Sequence, residues 1–325
     1  MKGLELCRRY YEEYGISMIK EQFQRFESRI AVGMVGNGSE CFGFDDEIST
    51  DHDFGPSFCM FLADYDYEII GEKLGNFYNS LPKELMGYSR LESTHGGGRV
   101  GVIRTSDFYK SFIGKGEGTF SLVEWLYIPE HFLSTATNGE VFRDDLGDFS
   151  KMRNYLLSYY PEDIRIKKIA ARAAMMSQSG QYNYSRSMLR GETVAARLAI
   201  DEFVRNTMLM VYLLNRKYAP YYKWMHRGME NFKILPDIRS MIDKLAKLPI
   251  KRESWLKNDL SYWKYNLNMD DEAVNLIETI CSMVVKELKN QSLTDKSDDF
   301  LENHTSSIMS RIRDEKIKSM HVMRG

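Results

Sequence analysis

From Leu4 to Ser28 apolar and aromatic residues recur at helical spacing among charges (Leu6, Tyr10, Tyr14, Ile19, Phe23, Phe26), which predicts one or two amphipathic helices interrupted at Gly15. Ile30 to Val35 is a short apolar run ended by Gly36, Asn37 and Gly38, the pattern of a buried strand running into a turn. Ser39 to Phe44 reads as a short helix or turn, Asp45, Asp46 and Glu47 as an acidic loop, and Asp53 to Leu62 as a second strand. Glu68 to Ser80 reads as a helix, stopped by Leu81-Pro82 because the residue before proline disfavours helical backbone. Met86 to Leu91 and Arg99 to Thr105 are predicted as strands joined by the Gly96-Gly97-Gly98 turn, and Val141 to Asp144 closes the region.

After Asp148 the texture changes, and long segments of helical periodicity replace glycine and β-branched alternation. The predicted helices are Arg153 to Tyr160, Glu162 to Ser177, Thr193 to Arg216, Pro236 to Leu248, Asp271 to Lys289 and Ser297 to Lys318, with Gly180 ending the second of them. Gln291 to Asp299 reads as the most flexible loop. This places a domain boundary near 146, with residues 1–145 carrying the strands and 146–325 all helical: an α+β chain.

With 325 residues, 43% hydrophobic and 28% charged, the chain has the balance of a folded protein with a sizeable core. Lys and Arg total 44 against 46 Asp and Glu, a near-neutral balance that argues against a dedicated duplex-DNA binder. There is no apolar run long enough to span a bilayer, and charges crowd the first dozen positions where a secretion signal needs an apolar core, so the expectation is a cytoplasmic protein away from membranes. Cys7, Cys41, Cys59 and Cys281 are isolated and read as reduced, mostly buried thiols. The 20 tyrosines and 19 methionines are compatible with a homodimer interface as well as with core filling.

The block with chemical content is Gly36-Asn37-Gly38-Ser39, followed after eleven residues by Asp51-His52-Asp53. Glycines at a turn offer backbone N–H groups, and Ser39 a hydroxyl, to a phosphate without a Cβ in the way. Carboxylates at i and i+2 on a strand point to one face and can hold a divalent cation, or two. Either piece alone is weak: the acids could be a solvated turn and the glycines a strand end needing positive φ. Together, in this order, they suit metal-assisted nucleotidyl transfer. No metalloprotease spacing among the six histidines and no Gly-x-Ser-x-Gly elbow appears, and Gly114 to Thr119 does not fit the Walker pattern.

The order Gly38-Ser39 then Asp51-x-Asp53 resembles the signature of the DNA polymerase beta-like nucleotidyltransferase superfamily. VGNGSECFGFDDEISTDHDFGPSFC, with TNGEVFRDDLG, YYPEDIRIKKIA, SGQYNYSR and YAPYYKW, resembles more closely a bacterial family described as a domain of unknown function and grouped with nucleotidyltransferases. The closer resemblance runs from about residue 10 to 250, and the superfamily signature over about residues 30 to 62. It implies a small mixed sheet with flanking helices, followed by a helical domain that closes one side of a cleft. It further implies that Gly38 and Ser39 bind the β and γ phosphates and that Asp51 and Asp53 hold magnesium, one ion or two. His52 departs from the usual apolar middle residue, and a third carboxylate is not obvious. Asp107, just past the Arg99 to Thr105 strand, is the first candidate for it and Glu124 the second, although Ser106-Asp107 also reads as a helix cap.

In the helical region Lys223 and Arg227 lie among Tyr218, Tyr221, Tyr222 and Trp224, where cations and rings could support a triphosphate and stack a base, or simply form an amphipathic segment. Lys223 is the candidate for the phosphates. Gln181, Tyr182, Tyr184 and Arg186 read as an acceptor-pocket turn or a helix connection. Arg165, Lys167, Lys168 and Arg172 read as a solvated basic face, with a tRNA or phosphate contact as the alternative. The expected function is magnesium-dependent transfer of a nucleoside monophosphate from ATP, or another nucleoside triphosphate, to a hydroxyl of a small molecule, tRNA or protein. The rivals are a catalytically degenerate nucleotide-binding or regulatory protein and an interaction protein of the same fold.

Overall fold

The computed structural model describes residues 1–50, 54–90, 98–256 and 267–325. In chain order the first part runs α1 (Gly3–Tyr10), α2 (Ile16–Gln22), β1 (Ala31–Met34), β2 (Cys59–Leu62), α3 (Asp64–Ser80), β3 (Glu84–Leu85), β4 (Tyr88–Ser89), β5 (Gly101–Arg104), α4 (Thr105–Ile113), α5 (Leu122–Tyr127), α6 (Glu130–Thr137), β6 (Glu140–Arg143) and α7 (Asp148–Leu157). The second part is helical: α8 (Glu162–Met176), α9 (Ser185–Arg190), α10 (Thr193–Leu214), α11 (Tyr222–Gly228), α12 (Ile238–Lys247), α13 (Glu272–Asn290), α14 (Glu302–Ser310) and α15 (Glu315–Ser319). Two compact units emerge, residues 1–119 with 128–159 and residues 120–127 with 160–325. α7 thus belongs to the strand-bearing unit, although its sequence texture is that of the helical one.

In the first unit a four-stranded mixed sheet has the order β5-β2-β1-β6, antiparallel except for the parallel pair β2 and β5. Strand residues point alternately to the two faces. Val32, Met60 and Leu62 meet Tyr10, Ile19, Phe23, Ile70 and Leu74 of the α1, α2 and α3 side. On the other face Phe61 stacks on Phe149 of α7 at 4.0 Å and meets Phe108 of α4 edge-on at 5.2 Å. The predicted hairpin of Met86 to Leu91 with Arg99 to Thr105 does not form. β4 pairs with β3 in a separate ribbon, and β5 joins the main sheet beside β2. The crossover through α3 makes that parallel pairing available, and β5 takes the sheet edge with Gly101 buried and its other residues half-buried.

In the second unit α8 runs without a break through a π-helical stretch, Ser177–Tyr184, into α9. Gly180 does not end the helix. Its bare Cα lies against the Phe203 ring of α10, and Gly191, at φ +78°, supplies the left-handed stop. The predicted Ser297 to Lys318 helix divides into α14 and α15, because Asp314 accepts from the Ile317 N–H at 2.9 Å and starts a new helix.

One expectation is overturned by burial. Arg165, Lys167 and Lys168 are not a solvated face: all three are buried. Arg165 forks onto Glu162 and reaches Gln291 Oε1 at 2.9 Å. Lys167 Nζ donates to the carbonyls of Met320 and His321 at 2.9 and 2.7 Å, and Lys168 Nζ lies 5.3 Å from the Tyr160 ring centroid. Arg172 reaches Asn206 Oδ1 at 2.9 Å. Long cations on α8 are therefore used inside the unit, each with oxygen or π partners that offset desolvation. Gln291 to Asp299 is a loop as expected, largely exposed, with the buried His304 ring bonding Thr294 Oγ1 at 2.9 Å and the Asp298 carbonyl at 2.6 Å. Among the described residues no helix is long and apolar enough to cross a membrane.

Candidate functional site

β1 is an inner strand of the sheet and delivers Gly36 and Gly38 at its end with φ of +96° and +128°, backbone that residues with a Cβ rarely adopt. The loop is gripped at both ends. The Asn138 carboxamide accepts from the Gly36 N–H at 2.8 Å and donates to the Gly36 carbonyl at 2.7 Å. The Gly139 N–H donates to the Cys41 carbonyl at 2.7 Å. Arg153 of α7 in turn donates to the Asn138 carbonyl at 2.7 Å and the Gly139 carbonyl at 3.1 Å. Between the two grips, the N–H groups of Asn37, Gly38 and Ser39 donate to no acceptor among the described residues.

A cation stands beside this loop. Arg99 pairs with the buried Glu40, and a Cβ on Gly38 would lie 2.6 Å from Glu40 Oε2 and 2.8 Å from Arg99 Nη2. Glycine at 38 thus answers two demands, the backbone angle and the close approach of the ion pair. Burial lowers the Arg99 pKa from its ordinary value, but a guanidinium keeps its charge through such a shift. Ser39 leads into a single 3-10 turn, Glu40–Phe42, as its sequence suggested.

Asp51 and Asp53, the expected metal ligands, lie with His52 outside the described residues. The preceding acids have local roles. Asp45 is buried and accepts from the Gly3 N–H at 2.9 Å at the start of α1, and Asp46 accepts from the Ser49 N–H and hydroxyl. Asp107 stands in the first turn of α4, largely exposed, 3.5 Å from Arg104 Nε. The register sets Leu62 beside Arg104 at one end of the parallel pair and Cys59 beside Gly101 at the other, and the second end is where β1 turns into the glycine loop. Asp107 follows the first of these ends, while the ring of its neighbour Phe108 reaches back along α4 to Gly36. Glu124 caps α5, accepting from the Ser121 N–H and hydroxyl at 2.8 Å each, and belongs to the second unit. Among the described residues no cluster of three or more His, Cys, Asp or Glu side chains could hold a metal ion.

Lys223 is exposed on α11 in the second unit, with Nζ 5.1 Å from the Trp224 ring centroid and Arg227 Cζ 5.8 Å from the same ring. Tyr221 and Tyr222 are exposed beside it, their centroids 4.6 Å apart. Gln181 and Tyr184 serve the interior instead. Gln181 bonds Glu278, the Asp299 carbonyl and the Leu301 N–H, and the Tyr184 hydroxyl donates to Asp271 at 2.9 Å.

Sequence reasoning missed Asn138, Arg153 and the Arg99–Glu40 pair as parts of the site. Asn138-Gly139 carries a turn signal that marked the position without its partner, and the other three have no local signature. Residues 125–225 match the model of a family described as a domain of unknown function, DUF4037. The match takes in Asn138, Arg153 and Lys223 and leaves the glycine loop and the acid pair outside it. Neither a curated protein nor a solved structure matches the chain.

Proposed function

We propose that the protein is a nucleotidyltransferase that moves a nucleoside monophosphate from a nucleoside triphosphate, ATP by default, to an acceptor hydroxyl. The observation that carries this reading is the loop from Gly36 to Ser39. It is held at both ends, has three N–H donors without a described acceptor, and packs against the Arg99–Glu40 ion pair at Gly38. Such a loop suits phosphate oxygens through its backbone dipoles, the Arg99 charge beside it being already matched by Glu40. The resemblance of Gly38-Ser39 and Asp51-x-Asp53 to the polymerase beta-like signature supplies the reaction class.

In this reading Gly38 and Ser39 hold the β and γ phosphates. Asp51 and Asp53 would hold magnesium, which supplies charge neutralisation on the phosphates. The acceptor oxygen forms a bond to the α-phosphorus while the bond from that phosphorus to the bridging oxygen breaks. Pyrophosphate leaves with the bond's electron pair, and the hydroxyl proton passes to a base or to water. The acceptor is a small molecule, a tRNA end or a protein side chain.

One observation favours a second reading. Asp107 and Glu124 both have local roles at helix starts, and Glu40 at the loop is paired with Arg99, so none of these three carboxylates is poised as a base. A nucleotide-binding regulatory protein of the same architecture would need none. The discriminating experiment is pyrophosphate release from each of the four ribonucleoside triphosphates with magnesium, in the presence of small-molecule, tRNA or protein fractions. Release that Asp51→Asn abolishes supports transfer, and binding without release under every condition supports the regulatory protein.

A further inference from the structure

We infer that Asn138 is a positioning residue of the glycine loop, fixing the conformation in which the loop takes a polyphosphate; this rests on the phosphate-binding reading of that loop. Two glycines in three residues give the free loop many conformations, and an anion that had to order them would bind weakly. Asn138 removes that cost in advance. Its carboxamide bonds both the N–H and the carbonyl of Gly36, as a neighbouring strand would, so that peptide is fixed just where β1 ends. The Gly139 N–H on the Cys41 carbonyl fixes the far end. Residues 37 to 40 are left between the two anchors, and they include all three donors without a described acceptor.

Arg153 braces the clamp. It donates from α7 to the carbonyls of both Asn138 and Gly139, so the backbone carrying the clamp is tied to a helix of the same unit. Asparagine suits position 138 because its amide presents one donor and one acceptor side by side, matching a peptide group. Aspartate would keep the bond from the Gly36 N–H but set an anionic oxygen against the Gly36 carbonyl.

The test uses the full chain, with inorganic tripolyphosphate and with ATP, each with magnesium, comparing the natural protein with Asn138→Ala, Asn138→Asp and Arg153→Lys. Amide exchange at Gly36 and the melting temperature without ligand are read alongside the dissociation constants. The expected result is a Gly36 amide protected in the natural protein and exposed in Asn138→Ala. Both polyphosphates should bind that variant about tenfold more weakly or worse, since both clamp bonds to Gly36 are lost together, while the ligand-free melting temperature stays within about 2 °C. Should Asn138→Ala not fold, Asn138→Asp gives the same comparison, with weakened binding expected there too. Unchanged affinity in folded Asn138 variants of a protein that binds polyphosphate overturns the inference and leaves the phosphate reading standing. A lowered melting temperature with unchanged affinity also overturns it, by reducing Asn138 to a structural part. Failure of the natural protein to bind either polyphosphate overturns the phosphate reading first, and this inference with it.

Discussion

Gly139 lies so close to Met34 that a Cβ on it would overlap the Met34 carbonyl oxygen, and its φ of +62° is one that side chains resist. The contact joins the end of β1 to the segment leading into β6 and sets the spacing at which Asn138 reaches Gly36. Gly139→Ala is therefore expected to cost about 2–3 kcal/mol, from backbone strain and overlap together. Urea unfolding measures this, and an unchanged midpoint would mean that the two segments separate freely.

Gly180 and Phe203 form the equivalent contact in the helical unit, where the bare Cα accepts the edge of the ring. Gly180→Ala should destabilise by about 1–3 kcal/mol through overpacking. Shortening the ring partner relieves it, so Gly180→Ala combined with Phe203→Leu should cost less than the two changes summed. Additive costs in denaturant unfolding would show that they do not press on each other.

The Asp271 carboxylate is buried and takes three donors, the Tyr184 hydroxyl at 2.9 Å, Trp255 Nε1 at 2.6 Å and the Ala273 N–H at 2.8 Å. It caps α13 and ties it to the π-helical stretch. Asp271→Ala should cost about 3 kcal/mol by leaving buried donors unmatched, and Tyr184→Phe about 1 kcal/mol. Unfolding midpoints of the two variants give the comparison. Equal losses would mean that the cap and the indole bond contribute nothing.

Lys167 makes stability depend on pH. Burial, with repulsion from Arg324 added, lowers its pKa to about 8 from an ordinary 10.5. Between these values the unfolded chain binds a proton that the folded chain lacks, so this group makes stability rise with pH across that window. Buried tyrosines act oppositely, since burial raises the pKa of Tyr78, Tyr109 and Tyr212 above the ordinary 10 and their contribution falls as pH climbs past it. Urea midpoints at pH 7.5 and 9.5 should rise for the natural protein relative to Lys167→Met. Parallel behaviour of the two proteins would contradict the assignment.

How much of this was legible in the sequence follows from what is local. The run from Ile30 to Val35 and the glycines behind it specify β1 and its turn by themselves, and α3, α8, α10 and α13 announce their periodicity. The partner of β5 could not be read, because register with β2 depends on the crossover through α3 rather than on any turn. Arg165, Lys167 and Lys168 read as solvated because charge is usually exposed. Only the carbonyls of Met320 and His321, some 150 residues on, reveal why Lys167 is inside. At the site, Gly38 and Ser39 carried their own signal, whereas Asn138-Gly139 showed only a turn and nothing of its partner 102 residues away. Asp107 keeps its place just past β5, in the first turn of α4 beside Arg104, and the acid pair it would complete lies outside the described residues.

The most direct test of the account is the melting temperature of the natural protein, Asp51→Asn and Asp53→Asn with each of the four ribonucleoside triphosphates, with and without magnesium. Ligand at about 100 times its dissociation constant adds roughly 2.7 kcal/mol, a shift of several degrees. The account predicts a magnesium-dependent rise with at least one triphosphate in the natural protein and its loss in both variants. No rise with any triphosphate, or a rise that survives both substitutions, would contradict it.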